Sequence, residues 1–74
     1  MEEFVFDEKS FREKLKDLRV EKGLTKVKLA KDLNVKESTI TRWENGNRIP
    51  TLPYLCRIAI YFNVSTDYLL GLEN

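Results

Sequence analysis

The sequence predicts an all-α fold, a compact bundle of five helices without strands. Three observations carry that expectation. Apolar residues recur at helical spacing, as in Phe11, Leu15 and Leu18, or Leu55, Ile58, Ala59 and Phe62. Residues that stop helices, Gly23, Asn34, Asn45-Gly46 and Gly71, divide the chain at short intervals. Residues that open helices, Asp7, Thr25, Thr51 and Ser65-Thr66, stand just before each apolar stripe.

The first helix is expected from about Glu8 to Lys22, with Asp7 as its N-cap and Gly23 closing it. Thr25 caps a second helix, Lys26 to Leu33, whose apolar side is Leu29, Ala30 and Leu33. At Asn34 the chain must reverse sharply, and asparagine tolerates the left-handed backbone better than other non-glycine residues. Val35 then plugs the turn, while the small Ala30 lets the helices approach closely at a steep crossing angle. A third helix over about 36–45 turns Ile40 and Trp43 inward and ends at Asn45-Gly46. Pro50 forces an extended residue before it, and Thr51 caps a fourth helix that tolerates Pro53 in its first turn. Ser65 or Thr66 caps a last short helix, Asp67 to Leu70, stopped by Gly71.

Seventy-four residues make one domain, 1–74, divided into an N-terminal extension at 1–7 and a five-helix core at 8–71. Phe4, Val5 and Phe6 are more apolar than an exposed terminus should be. Either they fold back on the core, the favoured reading, or they meet another chain. No apolar run is long enough to span a bilayer, and the start, MEEFVFDEKS, is acidic where a secretory signal would be basic, so a soluble cytoplasmic protein is expected. The only cysteine, Cys56, has no internal disulfide partner and reads as a small core filler rather than a redox switch. With no histidine, no paired carboxylates in a plausible cleft and no glycine-rich phosphate loop, neither an enzyme, a metal site nor a cofactor is expected.

Net charge is only +1, but it is unevenly distributed. From Lys22 to Arg48 seven basic residues face three acidic ones, a net +4 that leaves −3 for the rest of the chain. A locally basic segment in a near-neutral protein suits a surface that meets phosphates. Within that segment the outward face of the third helix carries Lys36, Glu37, Ser38, Thr41 and Arg42. These are mostly short polar side chains with one long cation. A solvated helix face is usually richer in long Glu and Lys, so this one is better suited to close approach to base edges. The bland alternative is a helical hairpin of any small all-helical domain.

The segments LRVEKGLT at 18–25, LAKDLNV at 29–35, STITRWENG at 38–46, Pro50, and NVSTDYLLG at 63–71 together resemble the lambda-repressor-like DNA-binding domains, the Cro or XRE type of helix-turn-helix. The likeness runs from Phe11 to Gly71. It implies a sequence-specific regulator of transcription, a repressor in sense, that binds double-stranded operator DNA and reads the major groove with the third helix. In such domains an arginine before the first glycine pairs with a glutamate late in the recognition helix; here these are Arg19 and Glu44, with spare guanidinium donors for phosphate or a purely structural pair. The resemblance places Thr25, Lys26, Lys36, Thr39, Asn45, Asn47 and Arg48 at the DNA backbone, and Glu37, Ser38, Thr41 and Arg42 at base edges. Two positions depart from the family pattern. Lys26 replaces a glutamine and becomes a point charge that strengthens binding without orienting it, and Lys36 replaces Ser or Thr as the third helix's N-cap, which weakens capping. Glu37 stands where many relatives carry glutamine and is either a reader of cytosine N4 or a brake, while Arg42 can bond guanine O6 and N7 together.

A single recognition helix reads few base pairs, so a homodimer on two half-sites is expected. Ile60, Tyr61, Leu69 and Leu72 are the candidate dimer patch, with Leu69 and Tyr61 equally readable as core. The competing functional class is a protein-interaction module, an antitoxin or adaptor on the same fold; a third alternative is the excised DNA-binding part of a longer repressor.

Overall fold

Five helices follow one another in the computed structural model, which describes residues 8–72: α1 (Glu8–Glu21), α2 (Lys26–Leu33), α3 (Glu37–Asn45), α4 (Leu52–Phe62) and α5 (Thr66–Leu70). The all-α expectation holds among the described residues, and the helix bounds fall within a residue or so of those read from the sequence. The proposed N-cap Asp7 and the apolar Phe4, Val5 and Phe6 lie outside the described residues.

The helices stop for one shared reason. Gly23, Asn34, Gly46, Asn63 and Gly71 all adopt the left-handed conformation, with φ between 55° and 80°. At Asn34 the N–H of Val35 reaches back to the Ala30 carbonyl at 2.9 Å and that of Asn34 to Lys31 at 3.2 Å, closing the carbonyl end of α2. Asn63 and Val64 repeat this after α4, with bonds to Ala59 at 3.0 Å and Ile60 at 3.1 Å. Each asparagine is followed by a valine that packs on the core, so the turn supplies both the reversal and an apolar plug. Asn63 belongs with the helix stops, a role its resemblance to Asn34-Val35 signals.

Helix starts are less uniform. The Thr25 hydroxyl accepts the Lys28 N–H at 3.0 Å and Ser65 accepts that of Tyr68 at 2.9 Å, which makes Ser65 rather than Thr66 the cap of α5. Thr51 occupies the N-cap position of α4 without a side-chain bond to the helix, and Pro53 sits in the first turn. Lys36 at the start of α3 likewise makes no side-chain cap, because an ammonium has no acceptor to offer.

The stripes named above converge on one core: Phe11, Leu15 and Leu18 from α1, Leu29, Ala30 and Leu33 from α2, Ile40 and Trp43 from α3, Leu55, Ile58, Ala59 and Phe62 from α4, and Leu69 from α5. Helix α1 packs on α3 and α5, α2 on α3, and α4 on α5. One expectation fails here. Cys56 is exposed, not a core filler, because α4 already fills its inward face with Leu55, Ile58, Ala59 and Phe62. Leu69, readable as core or as dimer patch, is fully buried and belongs to the core. Ile60 and Leu72 do face solvent, at 79% and 57% exposure. Among the described residues, no helix is long and apolar enough to cross a membrane.

Candidate nucleic-acid interface

Burial of Ile40 and Trp43 fixes the rotation of α3, and with it what the helix shows to solvent. Lys36, Glu37, Ser38 and Arg42 are exposed, while Thr39 and Thr41 are half-buried on either side of them. The face opposite the core is therefore open and carries Glu37, Ser38 and Arg42 of the four side chains expected at base edges, with Thr41 half-buried at its margin.

Beside this face stands the start of α2. The Thr25 hydroxyl oxygen accepts from the Lys28 N–H, which leaves the hydroxyl proton of this exposed residue for an outside group. Lys26 lies half-buried against α3, its Nζ donating to Thr41 Oγ1 at 3.4 Å. Its ammonium thus lies within hydrogen-bonding reach of α3. On the other flank Thr39, Arg42 and Arg48 line a shallow groove between α3 and α4, floored by Trp43 and Tyr54, whose rings lie 5.9 Å apart and tilted by 52°. Asn47 and Arg48 are exposed in the loop after α3, their N–H groups both directed to the Arg42 carbonyl, at 3.0 and 3.4 Å.

Arg19 and Glu44 meet as a two-pronged ion pair, Nε to Oε2 at 2.7 Å and Nη2 to Oε1 at 3.1 Å. Their side chains retain 11% and 3% exposure. Nη1 also donates to the Leu24 carbonyl at 2.9 Å, so three of the five guanidinium protons are engaged within the chain. The hydrogen bond to Glu44 raises the Arg19 pKa above its ordinary value, against the opposing effect of burial, and the group is charged at every relevant pH.

A second arginine of α1 escaped the sequence reading. Arg12 Nη1 donates to the backbone carbonyl of Asn45 at 3.1 Å, placing a cation against the carbonyl end of α3 where the helix dipole favours it. The signal was present: Arg12 and Arg19 are two helical turns apart and share a face of α1. Asn45 keeps an exposed side chain while its carbonyl is occupied. Behind the site, the Tyr61 hydroxyl donates to Asp32 Oδ2 at 2.6 Å, and Lys28 pairs with Oδ1 of the same carboxylate at 3.0 Å. Tyr61 thereby ties α4 to α2. Among the described residues no His, Cys, Asp and Glu cluster capable of holding a metal ion occurs.

The helix-turn-helix family HTH_3 matches residues 15–69. The chain is 41% identical over 63 residues to the transcriptional activator BcrR of Enterococcus faecalis, covering 85% of this chain and 31% of BcrR. Its fold is similar to the crystal structure of a transcriptional regulator from Listeria innocua, with a TM-score of 0.80 and 36% identity over 86% of this chain and 60% of that one. It is also similar to FeII HppE in complex with substrate, at a TM-score of 0.77 and 34% identity, covering 86% of this chain and 37% of HppE. The chain thus spans less than two thirds of each of these proteins.

Proposed function

We propose that this chain, which belongs to the HTH_3 helix-turn-helix family of DNA-binding domains, regulates transcription by binding a specific double-stranded operator, with α3 laid in the major groove. The observation that carries the reading is the open face of α3: Glu37, Ser38 and Arg42 are exposed while Ile40 and Trp43 anchor the opposite side.

In this reading Glu37, Ser38, Thr41 and Arg42 meet base edges, and Thr25, Lys26, Lys36, Thr39, Asn45, Asn47 and Arg48 meet the backbone. Arg19 adds its two uncommitted guanidinium protons at the rim of the same surface. A single α3 spans only a few base pairs, so two copies bind half-sites about 34 Å apart, one helical turn of DNA. Occupying such a site blocks polymerase or recruits it. No catalytic step is assigned to the chain.

Selection from a random duplex pool at moderate salt tests this directly. The expected result is a two-fold symmetric consensus whose affinity falls steeply with ionic strength, the slope of log K against log salt being about −0.9 for each phosphate neutralised. Recovery of no consensus, with salt-insensitive capture of a protein partner, would move the function to protein interaction.

A further inference from the structure

One face of α4 is left uncovered by the described residues. Leu52, Cys56 and Ile60 stand one helical turn apart and share a side of the helix, away from Leu55, Ile58, Ala59 and Phe62, which fill the core. Leu52 is 74% and Ile60 79% exposed, and Cys56 and Pro53 beside them are exposed as well. Arg57 is the one charged residue of α4, and its guanidinium lies over the Tyr54 ring, 5.3 Å from the centroid. In a chain that is 34% charged, an open helix face built of apolar side chains marks a surface that becomes buried in an assembly.

Resting on the DNA-binding reading above, we infer that this stripe is a dimer interface occupied by a second copy of the chain, the two α4 helices crossing antiparallel about a two-fold axis at Cys56. Three features select a second copy over an unlike partner. The stripe runs large, small, large, so a two-fold axis through Cys56 maps it onto itself: Leu52 meets Ile60 of the partner subunit, and the small cysteines stand at the crossing point, where helices approach closest. Self-contact brings no like charges into the stripe, since Arg57 is drawn over Tyr54. Helix α4 also begins beside the candidate DNA surface, Thr51 and Tyr54 sharing the groove of Thr39, Arg42 and Arg48. A copy joined there stands alongside that surface, as two half-sites on one duplex require.

Size decides how such a dimer behaves. Leu52, Pro53, Cys56 and Ile60 offer on the order of 400 Å² per copy, against about 800 Å² per partner in a standard stable interface. The free chain is therefore a monomer at micromolar concentration. On a duplex carrying both half-sites the second copy is held at millimolar effective concentration, and the stripe closes there. Operator binding is cooperative through this contact, and Cys56 is open to solvent in the free chain but covered on DNA.

The test uses the full chain, the duplex recovered by random-pool selection, and the same duplex with one half-site scrambled. Wild type is expected to fill the second half-site cooperatively. Ile60→Ser or Leu52→Ser should lower that cooperativity about tenfold while leaving single-half-site affinity and thermal stability almost unchanged, both residues being exposed. A short bismaleimide should join two wild-type chains through Cys56 on the full duplex and not on the scrambled one. In a Cys56→Ser background, Leu52→Cys and Ile60→Cys chains should cross-link when mixed and far less when either is alone; equal cross-linking in the unmixed chains overturns the antiparallel crossing. Cooperativity unchanged by Ile60→Ser and Leu52→Ser, or two bound wild-type chains that fail to cross-link, overturns the interface and spares the DNA-binding reading. If wild type selects no consensus, that reading falls and the interface is judged on the chain alone near millimolar concentration. A wild-type dimer in sedimentation that Ile60→Ser converts to monomer then upholds it, and the same state in both chains overturns it.

Discussion

Arg12 holds the carbonyl of Asn45 at 3.1 Å from 33 residues away in sequence, and the residue after Asn45 is shaped to let it. Gly46 has φ +80°, and a Cβ built there would lie 2.5 Å from Arg12 Nη1. The carbonyl end of α3 is thus closed by a left-handed glycine and a cation that a side chain at position 46 would have to displace.

Gly46→Ala is expected to cost about 1–2 kcal/mol from the left-handed backbone, with the loss of the Arg12 bond in addition. Denaturant unfolding measures the total. In an Arg12→Ala background the same substitution should cost less, because the guanidinium is no longer there to be displaced; equal costs in both backgrounds would refute the coupling.

Arg19→Met strands the Glu44 carboxylate at 3% exposure, and a loss of about 3 kcal/mol is expected, as for removal of one partner of a buried pair. Adding Glu44→Leu should recover much of it. A double variant no more stable than Arg19→Met would show that the pair is not what the single substitution breaks. Affinity for the selected duplex, measured on the stabilised double variant, then reports the phosphate contribution of Arg19 separately from its structural one.

Arg42→Ala should relax preference at one base pair of each half-site by about 1–3 kcal/mol, the worth of a bidentate contact to guanine, and leave thermal stability almost unchanged because Arg42 is exposed. Selection returning the wild-type consensus would remove Arg42 from the base-reading set.

The Tyr61 bond to Asp32 predicts a pH window. Hydrogen bonds from Tyr61 and then Lys28 hold the Asp32 carboxyl below its ordinary 3.8, so the contribution of the contact is present above that range and lost as pH falls through the lowered folded value. The bond to Asp32 raises the Tyr61 phenol above its ordinary 10.0, so the same contribution is complete below that value and lost as pH rises through the raised one. The stability difference between wild type and Tyr61→Phe should be flat at neutral pH and shrink at both extremes. Nuclear magnetic resonance titration should place the Asp32 carboxyl closer to its ordinary range in Tyr61→Phe; an unmoved value would show that Lys28 alone sets it.

Cys56, exposed on α4, should react with a maleimide in the native protein at the rate of an open thiol. Cys56→Ser should change stability by no more than about 0.5 kcal/mol, as for surface substitutions generally. Protection until unfolding would return it to the core.

Helix limits were legible in the amino-acid order because they are local chemistry. Thr25 and Ser65 reach an N–H three residues on, and Asn34 closes α2 through carbonyls three to five residues back, all within a turn or so of the chain. The inward faces of α1, α2 and α3 were legible too, since each has one apolar stripe and a polar remainder. Helix α4 is different. It is apolar nearly all round, from Leu52 to Phe62, and periodicity cannot choose between Cys56 and Ala59 when both are small; its packing with the other helices does. The Arg19–Glu44 pair, 25 residues apart, was implied by the family resemblance, whereas Arg12 to Asn45, Lys26 to Thr41 and, behind the candidate DNA surface, Tyr61 to Asp32 join residues 15 to 33 apart. No local pattern records which long side chain will find which acceptor across a helix junction, because that depends on how close and at what angle the packed core brings the helices together.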